Sequence, residues 1–146
     1  RATMTILRAD RVHFEKFAVV AEDAARNSSC RRRCVGAVVF DLTGKIIATG
    51  YNKERQVKDE PPRSCWNGDC PRGLASYAAV PADAPYGDCI AVHAEIVALN
   101  NAYGTTDRDQ WFVEPDIIMV VTHKPCHECT EVLERLAFPV FYLEEL

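Results

Sequence analysis

Two short segments constrain the fold of this chain more than anything else in it. His93-Ala94-Glu95 is followed, about thirty residues later, by Pro125-Cys126-His127-Glu128-Cys129. A histidine and two cysteines form a zinc-type ligand set, so the two segments have to converge if one ion is to meet all three. Both fall at expected helix starts. Ala91 to Tyr103 reads as one helix and Cys126 to Leu136 as another, opened by Pro125. His93 is expected in the first turn of the former. Cys126 and Cys129, three residues apart, should share a face in the first turn of the latter. Helix N-termini meeting at a point bring N–H donors and positive dipole ends, which favour thiolates and hydroxide. Three protein ligands leave a fourth position for water, the arrangement of a catalytic zinc; a structural site would call for a fourth Cys or His. Zinc lowers the pKa of such a water to about 7. Glu95, two residues from His93, is positioned to handle its proton. A Cys-x-x-Cys pair alone is common, and a lone His is usually an ordinary core or surface residue. Their joint occurrence with Glu95 favours the catalytic reading.

The remaining pattern supplies a setting. Val12 to Asn27 repeats apolar residues at helical spacing through Phe14, Phe17, Ala18, Ala21 and Ala25. Cys34 to Phe40 is a continuous apolar run suited to a buried strand. Asp41 to Gly44 reads as a turn and Lys45 to Tyr51 as the returning strand. Asn52 to Asp88 carries most of the Pro and Gly, and a loop of that length is usually functional or braced. Asp116 to Thr122 and Val140 to Leu143 read as strands. The order α-β-β-α-β-α-β predicts an α/β fold: a mixed sheet with helices packed on it, its last two strands parallel across a helical crossover. The 146 residues are read as one domain, with Arg1 to Thr3 a cloning remnant ahead of a native start at Met4.

Net charge is -4 and the pI is about 5.6, so long-range attraction to a polynucleotide backbone is not favoured. No apolar run approaches a membrane span, and the first residues lack the apolar core of a signal peptide. Seven cysteines without a secretion signal read as reduced thiols and metal ligands. A cytoplasmic location is the expectation.

The paired motif resembles that of the cytidine deaminase superfamily, and more of the chain follows it. Arg33-Cys34-Val35-Gly36-Ala37-Val38-Val39 and Ala48-Thr49-Gly50-Tyr51-Asn52 resemble the opening hairpin of deoxycytidylate (dCMP) deaminases, which carry R-x-x-V-G-A-V and then T-G-Y-N-G. Cys65, Gly68-Asp69-Cys70-Pro71-Arg72-Gly73 and Cys89 are similar to the cysteine-bearing stretch of that branch. Val121-Thr122-His123-Lys124-Pro125-Cys126 is similar to its Y-V-T-x-x-P-C turn. The resemblance spans Phe14 to Tyr142. It implies a cytidine-deaminase-like three-layer α/β/α sandwich with a mixed sheet of four to five strands. The family has five, and this chain reads as stopping after the fourth.

The resemblance also implies a zinc-dependent hydrolase that converts dCMP to dUMP plus ammonia. His93, Cys126 and Cys129 would hold Zn2+, and Glu95 would shuttle protons between the activated hydroxide, the ring nitrogen and the amine. Asn52 would bond the sugar hydroxyl, and the Ala94 N–H the pyrimidine carbonyl. Partners would be a small-molecule nucleotide or nucleoside and further copies of the chain, not a membrane. Two departures stand near substrate recognition: Lys53 replaces the family glycine after Asn52, and Val97 replaces the asparagine of H-A-E-x-N-A. The alternatives are a deaminase of a free or modified nucleoside, a nucleic-acid base deaminase, which the acidic composition disfavours, and a non-catalytic zinc-binding module, which would have no use for Glu95.

Secondary groups divide between chemistry and structure. Cys65, Cys70 and Cys89 either bind a second zinc, with Cys34 or His13 as fourth ligand, or are free thiols. Lys53, Arg55, Lys58, Arg63 and Arg72 could clamp a 5′-phosphate or be solvated among Asp59, Glu60 and Asp69. Arg31 to Arg33 reads as a solvated helix end rather than as a phosphate-binding cluster. Trp66, Tyr77, Tyr86 and Trp111 read as packing aromatics rather than base-stacking ones. His123 and His127 suit a pocket rim or helix surface. Thr105 to Gln110 reads as a polar turn without chemistry.

Overall fold

The computed structural model describes residues 6–30, 33–56, 58–61, 91–112 and 116–144. In chain order its elements are β1 (Ile6–Arg8), α1 (Glu15–Ala25), β2 (Gly36–Asp41), β3 (Ile46–Tyr51), β4 (Lys53–Glu54), β5 (Ala91–Val92), α2 (Ala94–Tyr103), β6 (Ile117–His123), α3 (His127–Leu136) and β7 (Val140–Glu144), with short 3-10 turns at Arg11–Phe14 and Arg108–Gln110. Five strands form one sheet in the order β1-β7-β6-β2-β3, and β4 pairs with β5 separately. β6 and β7 run parallel, joined by α3, and β2 is antiparallel to both β6 and β3. Among the described residues, no helix is long and apolar enough to cross a membrane.

The strands read as continuous apolar runs because both faces of the sheet are covered. Along β2, Val38 and Phe40 point to α1, while Ala37 and Val39 point to α2 and α3. β6 divides the same way, with Ile118 and Val120 against Met119 and Val121, as does β7, with Phe141 and Leu143 against Val140 and Tyr142. On the α1 face, Phe17 stacks on Phe40 and Phe14 on Phe141. The three-layer α/β/α arrangement is therefore present.

Two glycines set how closely the helices approach. A Cβ on Gly36 would lie 1.9 Å from the Ala21 carbonyl oxygen, and one on Gly50 would lie 2.3 Å from the Ala98 nitrogen and 2.7 Å from the Ala94 oxygen. α1 and α2 thus rest backbone-on-backbone against opposite faces of the sheet, and only glycine permits that contact.

The structure corrects the sequence reading at three places. The fifth strand is present: it comes from Ile6–Arg8 ahead of the first helix, pairing parallel with β7 through Ile6↔Val140 and Arg8↔Tyr142. Ala91 and Val92 do not begin a helix. They pair with Glu54 and Lys53, so α2 starts at Ala94 with His93 as its N-cap. The first turn of the N-terminal helix is 3-10, capped by the Asp10 carboxylate accepting from the Val12 N–H.

Candidate metal centre

His93 and Cys126 occupy equivalent positions, each the N-cap of its helix with extended backbone angles. Both stand one residue outside the first turn in which the sequence reading put them, while Cys129 lies in the first turn of α3. This geometry aims the side chains across the gap between the helix starts. His93 Nδ1 lies 3.1 Å from Cys129 Sγ and 3.3 Å from Cys126 Sγ, and the three ligand atoms all fall within 4.8 Å of one another. Tetrahedral zinc with ordinary Zn–N and Zn–S bonds would put N and S about 3.6 Å apart and the two sulfurs about 3.8 Å apart. A few tenths of an ångström of opening admits the ion, so the donor set fits zinc.

The titration behaviour of the cluster is that of a site prepared for a cation. The Cys129 thiol donates to Cys126 and, with the His93 ring, outweighs burial, holding the Cys126 pKa down to about 4. Cys129 moves well upward, because it keeps the shared proton and is buried. Burial opposes the charged form of His93, but the hydrogen bond and charge of Cys126 raise its pKa overall. Arg108, from the stretch that read as a polar turn without chemistry, lies close enough to act on Cys129. It also lines a cavity of about 170 Å³ with His93, Ile96, Arg55, Glu128 and Cys129. Its sequence neighbourhood carried no signal of this.

Glu95 is 4% exposed. Burial pushes its pKa from 4.5 up to about 7, against the opposing effects of its own backbone N–H and of His93. In the metal-free site the carboxyl therefore keeps its proton to well above the usual carboxylate range. Ala94 is the first residue of α2, and its N–H has no acceptor within the helix.

Asn52 is buried, and its amide is largely engaged. Its Oδ1 accepts from the Val35 N–H at 2.9 Å, and its Nδ2 donates to the Arg33 carbonyl at 2.7 Å. One N–H and one lone pair remain. Of the two departures from the family pattern, Lys53 is exposed with its Nζ 5.9 Å from the centre of the Tyr51 ring, and Val97 is buried in α2.

The secondary groups sort as follows. Thr122 Oγ1 accepts from the Gly36 N–H at 3.1 Å and lies 2.8 Å from His123 Nδ1, while His123 Nε2 lies 3.3 Å from Glu144. His127 is exposed and paired with Glu131 at 3.0 Å, a helix-surface residue. Trp111 is buried and stacked on Tyr103, which agrees with a packing role. His13 is exposed beside Asp10, and the Cys34 thiol lies against the carbonyls of Ser28 and Cys30. Cys65, Cys70, Cys89, Arg31, Arg63, Arg72, Trp66, Tyr77 and Tyr86 lie outside the described residues.

A mixed sheet with two helix starts meeting at a His/Cys/Cys cluster defines a zinc-binding α/β domain. The chain belongs to the family described as the cytidine and deoxycytidylate deaminase zinc-binding region, which it matches over residues 12–144. No curated protein matches its sequence. Among solved structures it is similar to the dCMP deaminase of cyanophage S-TIM5. The apo form aligns at 22% identity over 94% of this chain and 86% of that one, with a TM-score of 0.61. The form in complex with dCMP and dUMP aligns at 22% identity over 95% and 86%, with a TM-score of 0.64. These likenesses establish the shared fold.

Proposed function

We propose that this protein hydrolyses a cytosine nucleotide, dCMP to dUMP with release of ammonia. The observation that carries the reading is a carboxylic acid, Glu95, buried beside the His93/Cys126/Cys129 cluster. A structural zinc site has no use for such a group. The choice of dCMP is supported by the hairpin and turn motifs and by the dCMP and dUMP bound in the cyanophage structure of the same fold.

His93, Cys126 and Cys129 would hold zinc, which would supply Lewis-acid activation of a water molecule. Glu95 receives the proton that this water gives up and passes it to ring nitrogen N3. It then takes the proton of the new C4 hydroxyl and delivers it to the amine, so that the C4 carbonyl forms as ammonia departs. One water is consumed, the C4–N bond is exchanged for a C4–O bond, and no electrons are transferred. The Ala94 N–H donates to the pyrimidine carbonyl, and the spare valence of Asn52 meets a sugar hydroxyl. The whole chain acts as one deaminase domain in the cytoplasm, as a homo-oligomer.

The test is deamination followed by loss of cytosine absorbance and release of ammonia, with dCMP and deoxycytidine compared side by side. Preferential turnover of dCMP is expected. Turnover of the nucleoside alone would overturn the substrate assignment. Light scattering of the zinc-loaded protein checks the oligomer.

A further inference from the structure

A hydrogen-bonded line crosses the end of the main sheet and stops at Asn52. It starts on β7, where Glu144 is the register partner of His123 on β6 and its carboxylate lies 3.3 Å from His123 Nε2. The other ring nitrogen, Nδ1, lies 2.8 Å from Thr122 Oγ1. That oxygen accepts from the N–H of Gly36, the first residue of β2, at 3.1 Å. One residue earlier, Val35 holds Asn52 twice. Its N–H donates to Asn52 Oδ1 at 2.9 Å, and its carbonyl accepts from the Asn52 backbone N–H at 3.2 Å. The ends of β7, β6 and β3 and the start of β2 are thus tied in one line.

The donors and acceptors along this line fix the form of His123. Thr122 is buried, and its oxygen already accepts from Gly36, so its hydroxyl proton needs an acceptor. An unprotonated Nδ1 supplies one. Nε2 then carries the ring proton and donates it to the Glu144 carboxylate. The imidazole side chain is 19% exposed. Among the described residues, the charges that face it are Arg33, from the segment ahead of β2, and Glu144 from β7. Burial first, then Arg33, hold its pKa below the ordinary 6.5, against the pull of Glu144. The neutral ring is the resting form at neutral pH. Protonation would make Nδ1 a donor and leave the Thr122 hydroxyl proton without its acceptor.

We propose that His123 is a positioning residue for substrate binding: as the Nε2–H tautomer it holds Thr122 on Gly36, keeps Val35 in place, and so aims the spare valence of Asn52 at the sugar hydroxyl. This rests on the reading of Asn52 as the sugar contact given above. A sugar held equally in ground and transition states contributes uniform binding, so the device acts on KM rather than on kcat.

The experiment has two arms, both on the zinc-loaded full chain. The first needs no substrate. Imidazole nitrogen–proton correlation spectra are followed between pH 5 and pH 8, with His123 assigned by the loss of its signals in His123→Asn. The Nε2–H tautomer and a midpoint below 6.5 are expected. Thr122→Val removes the hydroxyl that stabilises the neutral ring and should raise that midpoint. The second arm measures dCMP turnover. His123→Leu, which lacks both ring contacts, should raise KM roughly 5- to 10-fold and keep kcat within about twofold, at unchanged zinc content. His123→Asn, whose Oδ1 can still accept from Thr122, should recover most of the KM. In wild type KM should climb as pH falls through the His123 midpoint; in His123→Asn it should follow only the ionisation of the substrate. Should His123→Leu fail to fold, that pH comparison carries the kinetic test. An Nδ1–H tautomer, a His123→Leu protein with wild-type KM, or a loss of kcat as large as the rise in KM would overturn the proposal. If no cytosine substrate is turned over, the nucleotide reading fails by itself, and the tautomer and the Thr122→Val shift still decide whether His123 holds Thr122.

Discussion

Gly50→Ala couples the packing of the sheet directly to the metal centre. The new Cβ would lie 2.3 Å from the Ala98 nitrogen, 2.7 Å from the Ala94 oxygen and 2.8 Å from the Ala98 Cα. All three are backbone atoms, so no side chain can swing aside. Real Cβ contacts essentially never fall below 3.0 Å, and α2 must therefore lift from the sheet by at least about 0.7 Å. That helix begins at Ala94 and carries His93 as its cap and Glu95 in its first turn. Overpacking of this kind costs about 1–3 kcal/mol, and a displacement near 1 Å at reacting groups costs about 100-fold in rate. Gly36→Ala supplies the comparison. Its clash is harsher, at 1.9 Å from the Ala21 oxygen, but it pushes α1 on the opposite face. The expected outcome is that both variants lower the thermal midpoint, while only Gly50→Ala lowers kcat per folded, zinc-loaded molecule. Measuring kcat against zinc content and melting point for the pair separates the two effects. A Gly50→Ala protein with full kcat, or a Gly36→Ala protein that loses kcat to the same degree, would refute this coupling.

Three further outcomes follow from the site. Glu95→Gln should keep zinc, measured by elemental analysis, and lose about 100- to 10,000-fold in kcat. Because the folded-state pKa of Glu95 is raised from 4.5 to about 7, the zinc-free protein should lose stability as pH rises through that window, by roughly 2–3 kcal/mol. Zinc-free Glu95→Gln should escape the loss, and denaturant melts of both apo proteins at pH 5 and pH 8 make the comparison. Zinc affinity should rise with pH between 6 and 8, because Cys129 retains its proton and the pKa of His93 is raised, and each proton displaced contributes about tenfold per pH unit. Chelator competition that gave a flat profile would contradict the protonation states assigned to the cluster. Asn52→Ala should cost about 1–3 kcal/mol, since it leaves the Val35 N–H and Arg33 carbonyl without their partner.

What the sequence disclosed about this site depended on how local the signal was. His93, Glu95, Cys126 and Cys129 were legible because motif chemistry needs particular residue types at particular spacings. The buried strands were legible because a sheet covered on both faces leaves continuous apolar runs at Ala37–Phe40 and Ile117–Val121. β1 was not, since three residues at a sheet edge carry no measurable period. The Ala91–Val92 strand was hidden for a related reason. Its extended conformation is imposed by pairing with Lys53 and Glu54, which are distant in sequence, and residues that would suit a helix yield to it. Arg108 escaped because it is an exposed residue of a polar stretch, and only the fold brings that stretch to Cys129.

The same four acidic or basic side chains that define the motif also explain why the site needs positive charge from elsewhere. Cys126, Cys129 and Glu95 surround a single imidazole, and the chain as a whole carries a net charge of -4. Without a cation, the cluster settles its repulsion by keeping protons: Cys129 holds one, and Glu95 holds one until about neutrality. A divalent ion removes the need for the Cys129 proton and draws the Glu95 carboxyl back toward its ionised form, which is the form that can accept a proton. Arg108 reinforces this from the ligand side by acting on Cys129. Charge balance at this centre therefore closes when zinc binds the cluster.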